Sequence, residues 1–175
     1  PCSQGRDPQI PAARGEMKIH LLCVGETRGN LGEATHGFET RARHYWRLDV
    51  QEVPAGLGKG KKPDPGKVRA AEENRLLARL EKTGGEAVAL TREGRSMGSR
   101  DLARFLDERA VRSVQDVSFI IGGAFGLGEG ILTRSDLNLS LSPLTLPHEV
   151  ARLVLAEQLY RAGTILRNEP YHKGS

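Results

Sequence analysis

The run MKIHLLCVG at residues 17–25 is largely apolar and stops at a glycine, the pattern of a short buried strand. The segment GEATHGFETRARHYWRL then predicts a helix over residues 32–48. LDVQEVPAG alternates, with Val50 and Val53 as its apolar members, and reads as a second strand leaving through the basic loop GLGKGKKPDPGK at 56–67. VRAAEENRLLARLEKTGG places Val68, Ala71, Leu76, Leu77 and Leu80 on roughly one helical face before a Gly-Gly stop. The order then repeats. A strand, EAVALTREG, runs into a loop around residues 92–94, and the helix SRDLARFLDERAV follows with Ser99 as its expected N-cap. DVSFIIGG is the most apolar strand; after it come a short helix near 128–135, the strand LNLSLS and a long helix from about 147 to 167.

Strands alternating with helices predict an α/β fold, a mostly parallel sheet flanked by helices, because parallel strands need crossovers that cover both faces. Ligands of such sheets sit beyond the carboxyl ends of the strands. Three exits stand out: ALTREG (89–94), IIGGAFG (120–126) and LSLSPLTLP (139–147). Gly122, Gly123 and Gly126 remove Cβ atoms and permit positive φ, so they either admit a flat ligand to the backbone or merely allow tight turns and close packing. Pro143 and Pro147 stiffen the third exit and leave the amides and carbonyls between them to meet a heterocycle's edge. A dinucleotide fingerprint is missing from the first strand, and GLGKGKKP has Lys62 where a phosphate-binding loop carries Ser or Thr.

Composition narrows the class. With 175 residues and 38% hydrophobic content, the chain can build one sizeable core, so residues 17–175 are expected to form a single domain. Residues 1–16, polar and rich in Pro and Gly, are expected to be a flexible leader or extension. Cys2 and Cys23 share no metal-binding or disulfide spacing, which predicts no metal and a cytoplasmic protein. No apolar run approaches the roughly 18 to 20 residues of a membrane helix. The net charge of +4 gives modest support to a polyanionic partner.

SLSPLTLPHEVARLVLAEQLYRAGTILRNEPYHKG, with FIIGGAFG upstream and MKIHLLCVG at the start, strongly resembles the bacterial ribosomal RNA large-subunit methyltransferase H family of the SPOUT superfamily. The resemblance runs from Met17 to the end of the chain. It implies a SPOUT methyltransferase domain with a C-terminal trefoil knot, acting as a homodimer. The implied reaction is S-adenosyl-L-methionine-dependent methylation of N3 of a pseudouridine in the helix 69 loop of 23S rRNA, on the assembled 70S ribosome. The implied cofactor contacts are Leu90, Gly122, Leu141, Ser142, Pro143, Leu144, Thr145 and Leu146, which fall on the three exits singled out above. Ala124 and Phe125 stand where several relatives carry other pairs.

A pseudouridine N3 carries a proton that some group must accept during transfer. The candidates are His148, Glu157, Arg161, Tyr171, His172 and Lys173, with His172 ranked first as base and an arginine or lysine stabilising the developing anion. Structural roles compete with these: His148 as a hydrogen-bonding residue at a helix start, and Glu157 with Arg161 as an i,i+4 ion pair. Val150, Leu153, Val154 and Leu155 are expected in core and interface, and Tyr160 at a dimer face. For RNA, the candidates are Lys59, Lys61, Lys62 and Lys67, and Arg41, Arg43, His44 and Arg47 beside Tyr45 and Trp46, with Trp46 expected in the core. Two alternatives differ in class: a ribosome-associated RNA-binding module without turnover, and a SPOUT enzyme acting on tRNA. Since the sequence carries no appended RNA-binding module, the substrate site is expected to span a dimer, one chain's tail reaching its partner's cofactor.

Overall fold

The computed structural model describes residues 17–56 and 64–172. Five strands form one sheet: β1 (Lys18–Val24), β2 (Arg47–Val53), β3 (Glu86–Ser96), β4 (Asp116–Ile121) and β5 (Leu137–Ser140). Their order is β2-β1-β4-β3-β5 and every pairing is parallel, so the sheet goes beyond the mostly parallel expectation. Among the described residues four helices connect them, α1 (Gly29–Ala42), α2 (Pro65–Thr83), α3 (Ser99–Val111) and α4 (Glu129–Arg134), and α5 (His148–Leu166) and a 3-10 turn, Pro170–His172, follow the last strand.

Strand periodicity sorts the side chains onto two faces. Ile19, Leu21 and Cys23 of β1 join Trp46, Leu106, Phe119, Leu155 and Leu159 in a core under α1, α3 and α5. Leu22 and Val24 point the other way, to Leu76, Leu80, Ile120 and Ile131 under α2 and α4. Fully buried side chains such as Phe119, Leu106 and Leu76 each contribute roughly 1.5–3 kcal/mol of hydrophobic stabilisation. At the amino ends of the strands, buried His20 bridges two neighbours, Nδ1 at 3.2 Å from Asp49 and Nε2 at 2.9 Å from Asp116.

Several boundaries differ from the sequence reading. The first helix ends at Ala42 rather than near Leu48, because residues 43–46 turn to drive Trp46 into the core. There its Nε1 donates to the Leu159 carbonyl at 2.9 Å, and Arg47 already belongs to β2. No Gly or Pro announces that turn. In contrast, α2 starts at Pro65, inside the stretch read as loop: Asp64 caps it, accepting from the amides of Gly66 and Lys67 at 2.8 and 3.1 Å. The N-cap of α3 is Gly98, not Ser99, and its amide is met by Asp101 at 3.4 Å. Ser99 instead donates to Gln158 at 2.7 Å. Strand β5 stops at Ser140, two residues early. The leader at 1–16 and Lys59, Lys61, Lys62 and Lys173 lie outside the described residues.

Candidate active site

The three strand exits converge. Leu90 ends the regular part of β3: Leu139 of β5 pairs both with it and with Arg95, so residues 91–94 loop out of the ladder. This bulge carries Thr91, Arg92 and Glu93 to the rim of a cavity of about 380 Å³. The exit of β4 supplies Gly122, Gly123, Ala124 and Gly126, and the segment after β5 supplies Leu141, Ser142, Leu144, Thr145 and Leu146. Seven of the eight residues implied as cofactor contacts therefore line one cavity. Pro143, the eighth, is exposed and does not line it.

The glycines serve the turn itself. A Cβ on Gly122 would lie 2.7 Å from the Gly126 carbonyl carbon, and one on Gly123 would lie 2.7 Å from a Glu72 carboxylate oxygen and 2.9 Å from Val24. The amide of Gly126, with φ +73°, donates to the Gly123 carbonyl at 3.1 Å and closes the turn. Bare backbone at 122 and 123 is thus required by contacts within the protein, the second of the two roles the sequence allowed them. The third exit is also braced from within, since Ser140 Oγ donates to the Ser142 carbonyl at 3.0 Å and Ser142 Oγ accepts from the Leu144 amide at 3.0 Å. Arg92 Nη1 donates to Thr145 Oγ1 at 3.3 Å and joins two of the exits across the rim.

His148, the first residue of α5, lines the cavity with its ring over Gly25, where a Cβ would come within 2.9 Å of Nε2. One turn further on, buried Arg152 donates Nε to Glu39 of α1 at 2.8 Å and makes a short bond to Glu52 of β2. Burial alone would lower its guanidinium, but the hydrogen bonds to Glu39 and Glu52 outweigh that and hold it above the usual arginine range. Burial pushes the neighbouring Cys23 thiol up to about 12, so it stays protonated.

The remaining candidates gather at the other end of α5. Arg161 Nη2 lies 2.7 Å from Glu157, the i,i+4 pair that the spacing indicated, and its guanidinium stacks 4.8 Å from the centre of the Tyr171 ring. Tyr171 donates its hydroxyl to the same carboxylate at 3.0 Å, while Gln158 donates to the other Glu157 oxygen at 2.6 Å. Hydrogen bonding to Glu157 raises the Arg161 pKa. Burial first, and then the bond to Glu157, raises the Tyr171 phenol above its usual range. His172 ends the 3-10 turn, and its side chain lies outside the described part. Thirteen residues separate His148 from Arg161, about 20 Å along a helix, so one chain does not bring the two groups together.

The RNA candidates behave unevenly. Trp46 is core, as expected. Arg41, Arg43, His44 and Arg47 are exposed, and Arg41 stacks over Phe38 and Tyr160 while Arg167 covers Tyr45. Sequence reasoning missed Glu72, a buried carboxylate beneath the glycine turn. One of its oxygens accepts from the Gly56 amide at 2.8 Å, and Arg75 donates to the Pro54 and Gly56 carbonyls at 2.8 and 2.7 Å. Together they pin the exit of β2, where the lysine-bearing segment begins. The signal was present: Glu72 sits between Val68 and Leu76 at i,i+4 spacing, a carboxylate on an apolar stripe. Among the described residues no cluster of His, Cys, Asp or Glu could hold a metal ion, and no helix is long and apolar enough to cross a membrane.

Known proteins share this sequence and layout. A family model described as "Predicted SPOUT methyltransferase" matches residues 17–172. A protein of Gemmatimonas aurantiaca named "Ribosomal RNA large subunit methyltransferase H" is 49% identical over 90% of this chain and 100% of its own length. One of the same name from Syntrophotalea carbinolica is 44% identical over 89% of this chain and 99% of its own. Among solved structures, a probable methyltransferase from Bordetella pertussis superimposes with a TM-score of 0.53 at 15% identity, covering 86% of this chain and 98% of its own, a likeness of fold. On the matched sequence and the shared fold, the chain belongs to the ribosomal RNA large subunit methyltransferase H family of SPOUT methyltransferases.

Proposed function

We propose that this protein is an rRNA methyltransferase that uses S-adenosyl-L-methionine to methylate N3 of a pseudouridine in the helix 69 loop of 23S rRNA, on the assembled 70S ribosome and as a homodimer. The observation that carries this reading is the convergence of Leu90, Gly122 and five of the six residues 141–146 on one cavity, in a chain with these relatives. About 380 Å³ lies within the usual range for small-molecule sites, and Leu90, Leu141 and Leu146 offer apolar walls to a heterocycle. S-adenosyl-L-methionine, when bound, supplies an electrophilic methyl group on a cationic sulfonium.

The chain's own residues have the rest to do. As the N3–C bond forms at the expense of the methyl–sulfur bond, whose electron pair stays on sulfur, the N3–H bond breaks, and in this reading His172 accepts the proton. Arg161 stabilises the anion that develops on the imide, and Glu157 orients it. Tyr171 keeps its proton and acts as a donor rather than a base. Since Arg161 stands about 20 Å along α5 from His148, it and the tail serve the partner's cavity rather than their own. Half-exposed Val150, Leu153 and Val154 on α5 supply an apolar surface for that pairing. The lysine-bearing loop and the arginines near Tyr45 take phosphates. The C-terminal trefoil knot belongs to the same reading; the return of α5 from edge strand β5 to the central strands β1 and β4 supports it.

The test is transfer of a labelled methyl group from S-adenosyl-L-methionine to ribosomes lacking the modification, with the product nucleoside identified by mass spectrometry and naked 23S rRNA and tRNA run in parallel. N3-methylpseudouridine on ribosomes alone is the expected product. Cofactor binding without any methylated nucleoside would instead leave a non-catalytic binding module.

A further inference from the structure

Five large apolar side chains are exposed among the described residues, and two of them, Phe125 and Leu144, stand on the loops that form the cavity. Phe125 is 41% exposed and Leu144 71% exposed. Single apolar groups scattered over a surface need no explanation, but these two flank one cavity. Phe125 occupies the penultimate position of the turn closed by the Gly126 amide, between Ala124 and Gly126, which both line the cavity. Packing of Gly122 against Gly126 and of Gly123 against Glu72 fixes that turn from beneath. The phenyl ring is therefore presented on a rigid support, which lowers the entropic cost of stacking on it. Arg92, more than half exposed, stands on the same rim and pairs with Glu93 at 2.8 Å, an exposed ion pair that a phosphate can displace at little cost.

We propose that Phe125, with Leu144, forms an aromatic and aliphatic platform on which an unpaired base of the RNA substrate stacks, while Arg92 meets the adjoining phosphate. The ligand class is single-stranded or loop RNA, whose unstacked bases pair naturally with exposed aromatic rings. The proposal rests on the methyltransferase reading for its place in the reaction, but base stacking by itself can be read without turnover. It assigns Phe125 the part of a positioning residue that holds the target loop over the cofactor cavity.

Two measurements test it. In the Phe125→Trp variant, a tryptophan at the rim joins buried Trp46 as a fluorescent reporter. Addition of an RNA hairpin with an unpaired loop should quench the new emission, whereas the same hairpin closed into a duplex should not. In methyl transfer to ribosomes, Phe125→Ala should lower kcat/KM by about 5- to 150-fold, the range of base–aromatic stacking. Phe125→Tyr should restore it, and calorimetric affinity for S-adenosyl-L-methionine should be unchanged. Wild-type kcat/KM in Phe125→Ala, or a loss that tracks weakened cofactor binding or a changed oligomeric state by sedimentation, would overturn the proposal. Should the wild-type protein methylate no RNA, the methyltransferase reading fails, and loop-specific quenching still decides whether the platform binds bases. Equal quenching by loop and duplex, or none, sinks the platform.

Discussion

The two ends of α5 are built on different principles. Its first turns are locked into the molecule: His148 lies over Gly25, and buried Arg152 ties the helix to α1 and β2 through Glu39 and Glu52. Its second half, with Tyr171 of the following 3-10 turn, carries a comparable concentration of charge and hydrogen bonds in Glu157 and Arg161, but these groups bond to one another and stay partly open to solvent. A buried guanidinium needs its carboxylates to exist where it does, and so it reads as architecture. Arg161, stacked on a tyrosine and paired with Glu157, still keeps 23% of its side chain open to solvent. The first end shapes a cavity, and the second carries the groups proposed to serve the partner's.

The sharpest way to break this contrast is to remove each arginine in turn. Arg152→Ala leaves Glu39 buried without its partner and should cost about 3–5 kcal/mol, read from urea unfolding; a loss below about 1 kcal/mol would show that the network is not structural. Arg161→Ala should reverse the pattern, with stability within about 1 kcal/mol of wild type and methyl transfer down about 100-fold or more. Equal effects of the two substitutions on stability would erase the distinction.

Smaller effects sharpen it. Because the Tyr171 phenol is raised, the folded state favours its protonated form. Its contribution is fully present below the ordinary tyrosine pKa of about 10 and is lost as pH rises through the higher folded value. The Tyr171 ring-carbon resonance, assigned with Tyr171→Phe, should accordingly titrate above 10; a midpoint at or below 10 would mean that Glu157 does not hold the hydroxyl. The smallest effect concerns the buried end. With its thiol up at about 12, Cys23 should resist alkylation at pH 8 in the native protein and react only on unfolding, as measured by mass spectrometry in a Cys2→Ser background.

Much of this organisation was legible in the chain. Apolar blocks such as LLCV and DVSFII forecast a buried parallel sheet, and GGAFG with SPLTLP located the exits that meet at the cavity. Glu157 and Arg161 declared their pairing by spacing. Three features stayed hidden because they depend on contacts distant in sequence. Trp46 ends a helix by burying itself against Leu159, without any local stop signal. Gly122 and Gly123 are glycine because Gly126 and Glu72 crowd them, and the sequence alone does not name the crowding atoms. The looped-out residues 91–94 follow from a register shift against β5, which appears only once the strands are paired.

The central claim is that each working site joins one chain's cavity to the other chain's tail. Complementation between two inactive variants tests it most directly. Leu90→Arg blocks the cavity, Arg161→Ala disables the tail, and the two chains are co-expressed with different affinity tags and purified as the mixed dimer. The account predicts that each homodimer is inactive while the mixed dimer regains up to about half the wild-type rate of methyl transfer to ribosomes, because one of its two composite sites is intact. A mixed dimer as inactive as its parents would place the cavity and Arg161 of a single chain in the same site and contradict the account.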